Sequence, residues 1–162
     1  NYIKSKLNYV KDFLTLEVKG KNFGGVCCII IKKKKIGLMK IQSPILKKGL
    51  YSLVQGFCNL KENISQTTKR EVLEETGINI NLKNFKYLCH IYPMQSLIDS
   101  KLAIFSTKLK SINDYNLKER TQEIGSGKLY FFSFADVKKM LKKPNTFDLI
   151  SFSALTYFLF IK

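Results

Sequence analysis

Four of the twelve acidic residues in this chain lie within one short segment, at Glu62, Glu71, Glu74 and Glu75. On a helix, Glu71 lies three and four residues before Glu74 and Glu75, so these three carboxylates share one face. Like charges at this spacing repel one another, and such local conflicts tend to mark functional sites. Because hard divalent cations such as Mg²⁺ bind oxygen ligands, the segment predicts a metal site.

The rest of the chain is strongly basic, which makes this acidic segment unusual. The 162 residues include 28 Lys+Arg against 12 Asp+Glu, for a net charge of +16, yet no lysine lies between Arg70 and Gly77. The alternative interpretation, a solvated acidic helix face, is less compatible with such a background. Only Arg70 and Arg120 are arginines. The lysine excess is therefore typical of an AT-rich coding sequence, although a nucleic-acid surface is the alternative.

The stretch from Gly56 to Ile78, GFCNLKENISQTTKREVLEETGI, resembles the Nudix box, G-x5-E-x7-R-E-U-x-E-E-x-G-U, where U is a bulky aliphatic residue. The fixed positions all match, at Gly56, Glu62, Arg70, Glu71, Val72, Glu74, Glu75, Gly77 and Ile78. The resemblance implies a Nudix hydrolase, which uses Mg²⁺ or Mn²⁺ to cleave a diphosphate linked to a further moiety. It also implies an α/β fold, the Nudix α/β/α sandwich with a mixed β-sheet. The length of 162 residues and the lack of a low-complexity linker predict a single domain over residues 1–162.

Roles for the box residues follow from the resemblance. It implies a set of metal ligands formed by the carboxylates of Glu71, Glu74 and Glu75 and the backbone carbonyl of Gln55. Glu71 or Glu74 serves instead as the catalytic base in some members. Arg70 is implied to orient a box carboxylate, a task that its fixed guanidinium geometry suits. Gln55 departs from the commoner glycine or alanine, and its side chain is large enough to crowd the site.

Substrate preference is predicted from residues outside the box. The stretch HIYPMQSLI, residues 90–98, resembles a shortened S-Q-P-W-P-F-P-x-S motif of NADH diphosphatases. Pro93 also follows the box at the distance where ADP-ribose diphosphatases tend to place a proline. Tyr92 and Phe57 are candidates to stack on a base, and with Pro93 they form the predicted substrate-binding set. Core or rim packing and a turn at Pro93 are the alternatives.

A further acidic residue is predicted near the last strand. In related enzymes, an acid on a loop before that strand acts as an additional metal ligand or base. The stretch TQEIGSGKLYFFSF resembles this region and places Glu123 in the expected neighbourhood, with Glu119 as the alternative. We predict Glu123 as a catalytic residue beside Glu71, Glu74 and Arg70.

Local patterns predict the elements that must position these residues. A helix is predicted over residues 63–76, capped by Asn63 with Gln66 and ended by Gly77. A second helix is predicted from Ser133 and Asp136 to before Pro144. Strands are predicted at residues 23–31, 36–41, 51–54, 80–92, 99–108 and 128–134, with a loop over 109–127.

The two ends of the chain are also predicted to be helical. Ile3, Leu7, Val10 and Leu14 recur at helical spacing, which predicts a short N-terminal helix within residues 1–20. The apolar stretch 147–161 predicts a buried C-terminal helix, too short to span a bilayer comfortably.

Composition excludes other kinds of site. The four cysteines form no C-x-x-C pair and His90 is the only histidine, which argues against structural zinc. Cysteines within apolar runs are typical of reduced thiols, and no secretory signal is visible, so we expect a cytoplasmic protein without a membrane partner.

The leading hypothesis is a hydrolase of a nucleoside diphosphate derivative resembling NADH or ADP-ribose, with a small nucleotide as its partner. The alternatives are hydrolysis of an RNA 5′ end or a nucleoside triphosphate, a non-catalytic nucleotide sensor, and simple nucleic-acid binding through lysines. Nucleic acid is not the favoured partner. Because many relatives are dimers, a homodimer remains open.

Overall fold

The computed structural model describes residues 5–10, 13–18, 23–43, 48–59, 61–94, 98–109 and 128–161, and the structural statements below concern these residues. The strands are β1 (Ser5–Val10), β2 (Phe13–Val18), β3 (Phe23–Lys32), β4 (Lys35–Ser43), β5 (Lys48–Ser52), β6 (Val54–Phe57), β7 (Phe85–Ile91), β8 (Ile98–Asp99), β9 (Lys101–Lys108) and β10 (Leu129–Ser133). The helices are α1 (Ile64–Thr76), α2 (Phe134–Leu141) and α3 (Leu149–Thr156), and α3 continues into a π-helical turn at Tyr157–Ile161.

The larger sheet is mixed. Its strand order is β10-β4-β3-β9-β7, with β5 paired to β4 and β6 paired to β3. The β3–β9 pair is parallel, whereas β3 pairs antiparallel with β4 and β6. A smaller sheet has the order β1-β2-β8. The predicted mixed sheet is therefore confirmed.

Strand β3 is apolar along most of its length because both of its faces are covered. Cys27, Ile29 and Ile31 belong to one core cluster, which also contains Val137 of α2 and Ala154 of α3. The alternate residues Val26, Cys28 and Ile30 belong to a second cluster with Val72 of α1. Helix α1 thus covers one face and helices α2 and α3 the other, which confirms the predicted α/β/α sandwich.

The predicted N-terminal helix is wrong, because the described parts of this segment are strands. Strands β1 and β2 pair antiparallel, with Ser5 opposite Val18 and Val10 opposite Phe13. The aromatic and β-branched residues that make up much of both strands favour extended backbone. Pairing between the two strands satisfies the hydrogen-bonding groups of their backbones. The helix prediction rests on the spacing of only four apolar residues, and such spacing does not report strand pairing.

Smaller differences concern element boundaries. The strand predicted from residue 80 begins only at Phe85, because Asn81 caps a 3₁₀ turn at Leu82–Asn84. The strand predicted over 51–54 is instead divided between β5 and β6. The C-terminal helix is buried on one side only: Ala154 and Leu155 are buried, whereas Leu149 is exposed. Apart from Leu109, the loop predicted over residues 109–127 lies outside the described residues.

Two further observations bear on the exclusions made from composition. Cys27, Cys28 and Cys58 are buried and Cys89 is half-buried. Burial raises the pKa of the Cys27 and Cys28 thiols, which keeps them protonated and unreactive. Within the described ranges, no helix combines the length and the apolar character needed to cross a membrane.

Candidate active site

Helix α1 carries the acidic residues and has well-defined ends. The side chain of Asn63 accepts a hydrogen bond from the Gln66 backbone N–H, and the Asn63 N–H donates to the Gln66 side chain, both at 2.9 Å. At the other end, Gly77 has a φ of 71°, a left-handed conformation that glycine adopts without strain. The predicted capping box and C-cap are confirmed, so the register of the helix is fixed at both ends.

Helix α1 meets the sheet closely where the Glu71 side chain lies against Gly56. Glu71 is only 7% exposed, and a Cβ atom added at Gly56 would overlap its carboxylate. Glycine at this position of β6 therefore lets the carboxylate lie directly against the sheet backbone. This close approach gives a structural reason for the first glycine of the box.

Arg70 lies at the centre of the other contacts. Its Nε donates to both carboxylate oxygens of Glu62, at 3.0 and 3.1 Å. Its Nη1 lies 2.7 Å from Oε1 of Glu71 and donates to Oε2 of Glu74 at 2.8 Å. Its Nη2 donates to the backbone carbonyl of Phe57 at 2.8 Å. Arg70 thus contacts three box carboxylates and ties the loop before α1 to the helix.

These contacts shift the ionisation of both partners. Burial alone would raise the pKa of Glu62, but the hydrogen bonds and charge of Arg70, with a hydrogen bond from Thr67, outweigh it and lower that pKa. Burial would likewise lower the pKa of Arg70, yet the charge of Glu71 and the hydrogen bonds to Glu62 and Glu74 raise it. Both groups are therefore charged over the neutral pH range.

Glu75 and Gln55 form a separate contact on the sheet. The backbone N–H of Gln55 donates to Oε2 of Glu75 at 3.2 Å, while the Gln55 side-chain amide donates to the Ser52 hydroxyl at 2.7 Å. Gln55 pairs with Cys27, whose side chain faces α2 and α3, so the Gln55 side chain lies on that face too. The large side chain is thus directed away from the carboxylates rather than crowding them.

The fit of a divalent cation can be judged from these donors. Within the described parts of the chain, no group of three or more His, Cys, Asp or Glu side chains is arranged to hold a metal ion. Instead, Glu62, Glu71 and Glu74 all contact Arg70, which brings three negative charges to one positive charge. Carboxylate oxygens are the ligands that Mg²⁺ and Mn²⁺ prefer. The carboxylates therefore suit such a cation in chemistry and in charge, while their arrangement in this structure is directed to Arg70.

The predicted substrate residues occupy two separate places. The Phe57 side chain is 72% exposed at the end of β6. Tyr92 is also exposed, just after β7, and Pro93 is half-buried in the turn that follows. Gly56 pairs with Val26, Val26 with Ala103, and Ala103 with His90, so these positions form one row across four strands.

The aromatic residues that surround Tyr92 are not predicted from the sequence. Tyr87 Oη and His90 Nδ1 share a hydrogen bond of 3.1 Å, and the His90 and Tyr92 rings meet edge to face at 5.7 Å. The ammonium group of Lys101 lies 6.0 Å from the Tyr92 ring centroid. Spacing along β7 is a weak signal for such a group, because a bulge between Tyr87 and Cys89 places Tyr87 and His90 on the same face. Glu123 and Glu119 lie outside the described residues.

The sandwich and the box residues together define the class of protein. Residues 21–151, which make up most of the chain, match the model of the NUDIX domain family. The chain belongs to this family, as the sequence predicts. A crystal structure of an ADP compounds hydrolase shares the fold, with a TM-score of 0.69 and 18% identity over 90% of this chain and 75% of that one.

Curated relatives match shorter parts of the chain. An NAD-capped RNA hydrolase NudC of Vibrio cholerae is 33% identical over 82 residues, 50% of this chain and 30% of its own length. NudC of Photobacterium profundum is 38% identical over 61 residues, 38% of this chain and 22% of that protein. The mouse mitochondrial NAD(P)H pyrophosphatase NUDT13 is 45% identical over 40 residues, 25% and 11% of the two chains. The chain thus spans less than a third of the length of these curated relatives, all of which carry names of hydrolases or pyrophosphatases.

Proposed function

We propose that this chain is a Nudix hydrolase that cleaves the diphosphate linkage of a nucleoside diphosphate derivative, such as NADH or ADP-ribose, with Mg²⁺ or Mn²⁺. The observation that carries the proposal is the gathering of Glu62, Glu71 and Glu74 around Arg70, with Glu71 against Gly56. Three carboxylates beside the single positive charge of Arg70 leave an excess of negative charge, which a divalent cation would offset. The names of the relatives, which act on NAD-capped RNA and NAD(P)H, support a diphosphate substrate.

The residues of the site would have separate roles. Glu71, Glu74, Glu75 and the carbonyl of Gln55 would hold the metal ion. When bound, a divalent cation neutralises charge on the diphosphate oxygens and makes a water molecule more acidic.

The protein's own residues would position the reactants and receive a proton. Arg70 acts as a positioning residue, because it fixes Glu62 and Glu74 relative to the backbone at Phe57. In the reaction, a water oxygen forms a bond to one phosphorus while the bridging P–O bond breaks, which yields two monophosphates. A carboxylate of Glu71, Glu74 or Glu123 accepts the proton that the attacking water loses.

The exposed aromatic residues would bind the base. Tyr92 and His90 lie on the side of the sheet that carries α1, since His90 pairs with Ala103 of the α1-facing cluster. Aromatic faces stack on bases without strong sequence preference. Phe57, exposed at the end of β6 and on the same face of that strand as Gln55, would offer a ring separate from Tyr92. Pro93 would shape the turn beside this surface.

The test is a panel of substrates with metal-dependent turnover as the readout. Wild-type protein is incubated with NADH, ADP-ribose, a nucleoside triphosphate and sugar nucleotides in Mg²⁺ or Mn²⁺, and the products are identified. We expect two monophosphates from a dinucleotide and a rate that falls roughly 10²–10³-fold in Glu75→Gln. Asp136→Asn removes one carboxylate from the first turn of α2 and is the matched control, with little change expected. Tight nucleotide binding without any turnover would overturn the proposal in favour of a sensor.

A second candidate function is hydrolysis at the 5′ end of NAD-capped RNA. The specific observation in its favour is the match to NudC proteins, which bear that name. The two candidates differ in how an RNA chain attached to the nucleotide affects the rate. A kcat/KM that is much higher for NAD-capped RNA than for NADH, measured in the same buffer, would favour the second.

A further inference from the structure

A cavity of about 710 Å³ lies at the end of β3 that is distant from the carboxylates. Its wall includes Ile31, five residues beyond Val26, the residue paired with Gly56. This separation corresponds to roughly 17 Å along an extended strand. Ile31 also belongs to the core cluster beneath α2 and α3, whereas α1 packs on the other face. The cavity is therefore separate from the candidate active site.

Among the described residues, the charged side chains that line this cavity are all basic. Five lysines from one turn, two strands and one helix contribute to it: Lys33, Lys34, Lys86, Lys108 and Lys138. The ion pairs found among the described residues all involve Arg70, so none of these lysines has a carboxylate within ion-pair distance there. Several cations around one concave surface raise the local concentration of anions.

The remaining lining is largely apolar. Phe134, Phe158 and Leu159 contribute from α2 and the C-terminal π-helical turn, and the Ser106 hydroxyl adds a polar group. Apolar walls with a few convergent polar groups are characteristic of small-molecule sites. The lining therefore suits a ligand with an anionic part and an apolar or aromatic part.

The turn that carries Lys33 and Lys34 provides an independent indication. These residues have φ values of 46° and 60°, and they join β3 to β4 in a two-residue hairpin. Such a turn strongly favours asparagine and glycine, because left-handed backbone brings the Cβ atom of other L-residues too close to a carbonyl oxygen. Lysine at both positions breaks this local preference where the turn lines the cavity. Breaks of this kind tend to accompany function.

We propose that this cavity binds a second small molecule, one that carries several phosphate groups beside an apolar or aromatic part. The lysines would contact the phosphates through charge-assisted hydrogen bonds. The wall formed by Phe134, Phe158 and Leu159 would contact the rest of the ligand. The site is independent of the proposed hydrolysis, because it shares no residue with the carboxylate cluster.

The experiment measures binding without turnover. ATP and inorganic tripolyphosphate are titrated calorimetrically into wild-type protein in a buffer that contains a metal chelator. We expect one site for ATP, retained in Glu75→Gln, and a higher affinity for ATP than for tripolyphosphate. The double variants K86Q/K108Q and K33N/K34G should each weaken ATP binding by about tenfold or more, since each removes two phosphate contacts.

The control is K142Q/K143Q, which removes the same charge from exposed lysines outside the cavity. We expect it to weaken binding by less than about threefold. Equal weakening in this control, loss of binding in Glu75→Gln, or no ATP binding at all would overturn the proposal. Equal affinity for the two probes would overturn the assignment of the apolar wall. Binding of a short RNA but of neither probe would indicate a nucleic-acid surface instead.

Discussion

The carboxylate cluster and the lysine cavity lie on opposite faces of one sheet and are built in opposite ways. In the cluster, Arg70 holds its carboxylates through direct contacts, and Glu71 lies against backbone. In the cavity, exposed lysines from separate elements surround an apolar wall without carboxylate partners among the described residues. Charge is therefore organised by tight mutual contact in the cluster and by the shape of a concave surface in the cavity.

The two regions should therefore respond to different substitutions. A cluster that depends on close approach should be sensitive to a single methyl group. A cavity that depends on several exposed charges should tolerate single changes and respond when charges are removed together.

The largest effect is expected from Gly56→Ala. The added Cβ would overlap the Glu71 carboxylate, and because backbone and helix register are fixed on both sides, the carboxylate must move. Displacement of a catalytic group by about 1 Å costs on the order of 10²-fold in rate. We expect kcat to fall by at least this factor, measured on whichever substrate the panel identifies.

The matched control for this substitution is Gly49→Ala on β5. There the added Cβ would approach Cε of Lys40, the far end of a flexible side chain, at 3.0 Å. We expect activity within about twofold of wild type, since such a side chain moves at little cost. Equal losses in the two variants would show that the sheet, and not the Glu71 contact, is what the methyl group disturbs.

The same contrast explains which site the sequence could reveal. The box residues lie close together in the chain, with Glu62 just before α1 and Arg70 and Glu71 on it, so the three could be grouped from spacing alone. The cavity lysines come from a turn, two strands and a helix that only the fold brings together. In a chain with so many lysines, no local pattern distinguishes these five.

The elements of the fold also differ in whether local sequence could predict them. Helix α1 could be predicted because Asn63, Gln66 and Gly77 mark its ends with capping chemistry. Strand β3 could be predicted from a continuous apolar run. The N-terminal strands could not, because their structure depends on pairing between two segments, and four apolar residues fit a helical spacing as well. The direction of the Gln55 side chain likewise depends on its pairing with Cys27 in the sheet.

A smaller effect is expected at the edge of the cluster, where Glu62 contacts Arg70 and Thr67. The pKa of Glu62 is lowered on folding, so its contribution to stability is present above its ordinary pKa and is lost as pH falls through the folded value. Glu62→Gln should lower the free energy of unfolding by roughly 1–2 kcal/mol at neutral pH, because hydrogen bonds to charged groups contribute about that much.

The pH dependence gives the sharper test. The difference between wild type and Glu62→Gln, measured by urea unfolding from pH 3 to pH 7, should be constant above roughly pH 5 and shrink below it. Thr67→Val removes only the 3.2 Å hydrogen bond to Glu62 and should reproduce a fraction of the effect. A difference that is independent of pH across this range would mean that the ionised form of Glu62 is not the stabilising one.

The smallest effect is expected in the hairpin turn and has the opposite sign. K33N/K34G places residues suited to left-handed backbone at φ values of 46° and 60°, so it should raise the free energy of unfolding by roughly 0.5–1 kcal/mol. K33Q/K34Q is the control, because it removes the same charge and keeps the strained backbone. If the free energy of unfolding rises only in K33N/K34G while ATP binding weakens in both variants, then the lysines reduce stability while they serve the cavity. Loss of stability in K33N/K34G would instead show that the lysines support the fold, and the contrast between the two regions would fail.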